Sequence, residues 1–129
     1  MIAIDTNIIV RLLTKDDTKQ YHICRKLFEA EEIYISDTVI LETEWVLRFA
    51  YEFEPIEVGS AFRKLFGLPN VKLSNNYIIA QAINWHEQGL DFTDAFHLAL
   101  SQSIPTLKTF DGEFIKKSKD LSKRAVQKP

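Results

Sequence analysis

The apolar residues of this 129-residue chain fall into short runs, and those runs alternate with longer stretches of helical spacing. Ile2 to Ile4, Glu32 to Ser36, Val71 to Leu73, Thr106 to Thr109 and the closing Ala125-Val126 read as strands. Between them, Thr18 to Glu31 carries Tyr21, Cys24, Leu27 and Phe28 at i, i+3, i+4 spacing, the mark of one buried helical face. Pro55 can open a further helix at its first turn, with Val58, Ala61, Phe62, Leu65 and Phe66 along one stripe. Strands alternating with helices predict an α/β fold, with a central parallel sheet of four to five strands between helices in three α/β/α layers. Right-handed crossovers follow. A chain this long is expected to form a single domain over residues 1–129, with one hydrophobic core.

Two helices have less regular patterns. In Thr38 to Tyr51 the apolar residues, Trp45 and Phe49 among them, spread around most of the helical circumference. That predicts burial on several sides, by the core or by a second copy of the chain. Asp91 to Asp94 starts a later helix, with Thr93 as a plausible N-cap and Asp94 in the first turn. There the helix dipole favours an ionised carboxylate by a few tenths to about 1 kcal/mol.

Two of the strand-like runs end in carboxylates. Ile2 to Ile4 stops at Asp5-Thr6-Asn7, and Thr106 to Thr109 stops at Phe110-Asp111-Gly112. In an open parallel sheet the crevice beyond the carboxyl ends of the strands is where ligands bind. Glu42 lies one turn beyond Thr38, beside Leu41 and one turn before Val46, so it reads as an acid in an apolar setting that wants a partner or a metal. Glu44 is rotated about 200° from it, at about 100° per residue, and cannot share its site. Each acid also has a plain explanation: Asp5 and Asp94 as helix caps, Asp111 as a turn opener, Glu42 as a surface residue. Acids converging through oxygen alone would suit Mg²⁺ or Mn²⁺. Held on a scissile phosphate, such an ion generates the nucleophile and neutralises the in-line transition state.

Composition narrows the classes further. The single cysteine, Cys24, excludes an internal disulfide and a Cys-based zinc site and reads as core. The net charge of −2 argues against broad nucleic-acid binding, although residues 108–129 carry seven Lys/Arg against three acids. That basic tail could neutralise a few phosphates or simply be solvated. Arg11 and Lys15, just past the Asp5 motif, could contact phosphate or lie on a solvated face. His97 suits a rim position, while His22 and His86 read as ordinary helix residues. No run approaches the ~18 apolar residues of a membrane span. Nothing at the N-terminus reads as a signal peptide, so the cytoplasm is the expected location.

Taken together, Ile4-Asp5-Thr6-Asn7, Ser36 with Glu42, Phe92-Thr93-Asp94-Ala95-Phe96-His97-Leu98-Ala99 and Thr109-Phe110-Asp111-Gly112-Glu113-Phe114 resemble the PIN-domain ribonucleases in order and spacing. The likeness is greatest to the VapC-like toxins of prokaryotic toxin–antitoxin pairs. The resemblance implies a PIN-like fold in which Asp5, Glu42, Asp94 and Asp111 bind Mg²⁺ or Mn²⁺, supported by Thr6, Asn7 and Thr109. It further implies endonucleolytic cleavage of RNA, tRNA or mRNA, by a metal-activated water that leaves a 3′-hydroxyl and a 5′-phosphate. A homodimer, and a hetero-oligomer with an inhibitory antitoxin of VapB type, are implied as partners. Many relatives carry Asp-x-Asp-Phe at the last motif, where this chain has Gly112 and Glu113, so Glu113 is a supporting candidate of altered length. The rival readings are an RNA-processing PIN nuclease without an antitoxin, a catalytically silent PIN-like binding module, and a phosphatase with an Asp nucleophile. The last usually wants a second Asp where Asn7 stands.

Overall fold

The structure is a computed structural model that describes all of residues 1–129. The chain divides into two compact units, Met1–Ser74 and Asn75–Pro129. No helix is long and apolar enough to cross a membrane.

In the first unit, β1 (Ile2–Ala3), β2 (Ile33–Tyr34) and β3 (Val71–Lys72) form a parallel ladder in that order. Ile2 pairs with Ile33, and Ile33 with Val71. β2 is the middle strand of this ladder. Its Ile33 and the following Ile35 are fully buried. The helices are α1 (Thr6–Thr14), α2 (Thr18–Ala30), α3 (Asp37–Tyr51) and α4 (Pro55–Phe66). Local chemistry sets their ends. Asp17 caps α2 by accepting from the Gln20 N–H at 2.9 Å. Pro55 opens α4, where the Glu54 N–H donates to the Glu57 carboxylate at 2.9 Å, half of a capping box.

The second unit runs α5 (Asn76–Glu87), α6 (Phe92–Leu100), β4 (Thr106–Lys108), α7 (Gly112–Ser118) and β5 (Ala125–Gln127). β4 and β5 pair in parallel, Leu107 opposite Val126. Asn75 caps α5. The turn into α6 passes through Gly89 at φ 112°, a region that side chains rarely enter. Packing of α5 on α6 buries Ile79, Leu90, Phe92, Phe96 and Leu98. His86 is buried too, edge-on to Phe92, its Nδ1 2.7 Å from the Leu90 carbonyl oxygen. All five expected strands form and every pairing is parallel, so the α/β reading holds. The hydrogen-bonded ladders have three strands in one unit and two in the other, rather than four to five in one.

Helix α3 departs most from expectation. Its core face is Ile40, Thr43, Glu44 and Leu47, the i, i+3, i+4, i+7 stripe of a helix packed on one side. Glu44 is only 1% exposed and accepts two hydrogen bonds from Arg48, at 2.9 and 3.1 Å. Glu42, expected in an apolar setting, is exposed. Trp45 and Phe49 lie on the outer face, 57% and 59% exposed, their rings 5.1 Å apart. Two polar residues occupy core positions while aromatic ones occupy outer positions, which blurs the period in the sequence.

Removing the partner of a buried carboxylate strands its charge. Arg48→Ala should therefore lower the stability measured by urea denaturation by about 2 kcal/mol, the scale of a hydrogen bond to a charged group. Glu42→Ala should stay within about 0.5 kcal/mol of wild type, as exposed substitutions do. Equal losses for the two variants would reverse this assignment.

Candidate functional site

Each unit brings together two of the four singled-out acids. In the first unit, Asp5 follows β1 and is the N-cap of α1; its Oδ1 accepts from the Thr6 N–H at 2.7 Å. One face of α1 (Thr6, Asn7, Val10, Arg11) and one face of α3 (Glu42, Val46, Ala50) enclose a cavity of about 360 Å³ with Asp5 at its edge. Asp5, Asn7 and Glu42 are exposed, whereas Thr6 is buried and its Oγ1 has no hydrogen-bond partner. Ser36, in the N-cap position of α3, makes no capping bond and lies 3.2 Å from the Thr38 hydroxyl.

In the second unit a cavity of about 420 Å³ is lined by Asp91, Thr93, Asp94, Asp111, Glu113 and Lys117, among others. Asp111 caps α7, accepting from the Phe114 N–H at 3.1 Å through Oδ1. The Thr109 hydroxyl accepts from the Asp111 N–H at 3.0 Å and so fixes the turn that carries this carboxylate. Glu113 is exposed, 3.8 Å from Lys117. Asp94 stands in the first turn of α6 as expected, but the cap is Asp91, not Thr93: the Asp91 carboxylate accepts from the Asp94 N–H at 3.2 Å. Asp91 was not among the residues singled out. Its signal is an Asp three positions before another acid at a helix start, the place where a cap reaches the N3 backbone.

Capping and ligation are therefore not alternatives here. Asp5 and Asp111 each spend Oδ1 on a backbone N–H and make no bond through Oδ2. The cap fixes the carboxylate and leaves an oxygen for another partner. Electrostatics distinguish Asp94. Burial, and then the neighbouring Asp91 and Asp111 carboxylates, push it above the ordinary carboxylate range, with His97 and Lys117 acting in the opposite sense.

The donors in both cavities are oxygens, with no sulfur or imidazole, and each wall carries one cation, Arg11 or Lys117. No point in the structure gathers three His, Cys, Asp or Glu side chains placed to hold a metal ion. That suits Mg²⁺ or Mn²⁺, hard ions that keep several waters and take one or two carboxylates; it does not suit a four-ligand zinc site. The residues present thus fit the implied ion. A bound divalent cation would relieve the repulsion that the Asp91 and Asp111 carboxylates impose on Asp94.

The PIN domain family model matches residues 2–120. The chain belongs to the PIN domain family. Among solved structures, the crystal structure of VapC20 from Mycobacterium tuberculosis, described as a sarcin-ricin loop cleaving toxin, is similar. It is 20% identical, the match covers 88% of this chain and 92% of that one, and the TM-score is 0.45. No curated protein matches the chain.

A raised Asp94 means that the folded protein holds this proton more tightly than the unfolded chain. The resulting destabilisation is absent below the ordinary value of 3.8 and fully present above the raised one. Asp94→Asn should therefore melt above wild type at pH 7 in EDTA, and the gap should close as the pH falls towards that value. Differential scanning fluorimetry across pH checks this, and a variant melting below wild type at pH 7 contradicts the repulsion.

Proposed function

We propose that this PIN domain is a divalent-metal-dependent endoribonuclease of the VapC type, the toxin half of a toxin–antitoxin pair. In this reading Asp5, Glu42, Asp94 and Asp111 are its metal ligands. Membership of the PIN family supports a nuclease acting on RNA, and the match runs through both compact units, which supports one functional domain over residues 1–129. The observation that carries the reading is the pairing of acids remote in sequence. Asp5 with Glu42, and Asp94 with Asp111, each share one oxygen-lined cavity, and both strand-end aspartates keep an oxygen free.

Each residue has a definable task. The caps on Asp5 and Asp111 aim a carboxylate oxygen without further side-chain rearrangement. Thr109 holds the Asp111 turn, and the buried, unpartnered Thr6 hydroxyl is available to a water or to the Asp5 carboxylate. Glu42 reaches into its cavity from a helix anchored on its other face by Ile40, Glu44 and Leu47, so its backbone is rigid while its carboxylate stays free. Glu113 is held towards Lys117 and serves the rim. When bound, Mg²⁺ or Mn²⁺ would activate water and neutralise charge on the phosphate undergoing attack. The exposed Trp45 and Phe49 on α3 are the surface we assign to a homodimer. An antitoxin of VapB type, and tRNA or mRNA as substrate, complete the reading in a cytoplasmic setting.

Purified protein should cut single-stranded RNA with Mg²⁺ or Mn²⁺ and not in EDTA. Asp5→Asn and Asp94→Asn should each lower cleavage by at least about 100-fold, the scale of removing a group that stabilises the transition state. Mg²⁺ should raise the melting temperature of the wild type by binding the native state, and less so that of either variant. Full activity in either variant would sink the ligand assignment, and a wild type with neither cleavage nor a metal-specific shift would sink the proposal in favour of a silent binding module.

A further inference from the structure

The acid-lined cavity of the first unit has a cation built into its wall. Arg11 is one helical turn beyond Asn7, on the face of α1 that lines the cavity with Asp5 and Glu42. Side chains from three parts of the unit hold it. Gln20 of α2 accepts from Nε at 2.6 Å, and the Asp16 carboxylate accepts from Nη1 at 3.3 and 3.4 Å. The Tyr51 hydroxyl at the end of α3 lies 3.5 Å from Nη1. Tyr51 also donates a hydrogen bond to Asp16, and Thr14 donates a second, at 3.0 Å. The Tyr51 hydroxyl above all, with Thr14 and the Arg11 charge, keeps Asp16 below the usual carboxylate range.

A guanidinium is a planar fork of five donors. Fixing Nε and Nη1 sets the plane, and Nη2 makes no hydrogen bond within the protein. The side chain is 31% exposed and lines two cavities, one with Asp5 and Glu42 and a second with Ile8, Gln20 and Ile23. A pre-oriented guanidinium edge is suited to phosphate oxygens, more so than a flexible ammonium. Next to two carboxylates it also offsets the repulsion that an incoming phosphodiester would meet.

We propose that Arg11 binds a non-bridging phosphate oxygen of the RNA strand beside Asp5 and Glu42, and that Asp16, Gln20 and Tyr51 are its positioning residues. The proposal rests on the nuclease reading above. Its rival is a purely structural strut between α1, α2 and α3, which would hold the same bonds but ignore RNA.

The test pairs a wild-type measurement with a variant. Phenylglyoxal modification of wild-type protein, followed by mass spectrometry, should be slowed at Arg11 by single-stranded RNA. It should not be slowed at Arg25, which is exposed and paired only with Glu29. In EDTA, the slope of log binding constant against log salt should fall by about 0.7 in Arg11→Gln, the value of one phosphate contact on a single strand. Arg25→Gln should leave that slope unchanged. An Arg11 that RNA does not protect, or an unchanged slope in folded Arg11→Gln, overturns the contact even if the wild type cleaves RNA normally. Should Arg11→Gln fail to fold, the wild-type protection decides alone. If the wild type neither binds nor cleaves RNA with Mg²⁺ or Mn²⁺, the nuclease reading fails and this contact fails with it.

Discussion

The hydrogen bond from a backbone N–H at the start of a helix to an aspartate at the end of the preceding segment sets the geometry of both cavities. It occurs at Asp5, Asp91 and Asp111. A cap of this kind contributes about 1 kcal/mol, and the helix dipole adds to it by favouring the ionised acid. Its larger consequence is orientation. A carboxylate anchored through one oxygen presents the other in a fixed direction, so the bond that starts the helix also orients an oxygen that the cap does not use.

The two cavities balance their negative charge differently. In the first unit Arg11 stands in the wall with Asp5 and Glu42, and its own charge is tied by Asp16. In the second, Asp91, Asp94 and Asp111 lie close enough that Asp94 resists ionising, with His97 and Lys117 only partly opposing them. Perturbed acids of this kind cluster at functional sites. The rest of each unit is assembled to hold these groups still: buried Ile33, Ile35, Ile40 and Leu47 in the first, Phe92, Phe96 and Leu98 in the second.

Helix α3 shows how the same physics can hide from a reading of residue types. The core accepts Glu44 because Arg48, one turn on, satisfies both of its oxygens, and it accepts Thr43 because its hydroxyl donates to the Val39 carbonyl at 2.7 Å. With those two places polar, and Trp45 and Phe49 outside, apolar character no longer reports the buried face. Glu42, read as an acid in an apolar setting, is instead exposed, at a cavity that Val10, Val46 and Ala50 line together with Asp5, Asn7 and Arg11.

The order of elements, the parallel pairing, most helix starts and the family were legible in the amino-acid order, because caps, prolines and short apolar runs act within a few residues of themselves. Asp5, Asp94 and Asp111 could be picked out for the same reason, each lying at a recognisable junction. Which acid of α3 is buried, which aspartate caps α6, and where the Arg11 fork is pinned were decided only by tertiary structure. Those outcomes turn on partners such as Tyr51 and Gln20, whose proximity to Arg11 no local pattern encodes, and on the side from which neighbouring helices pack.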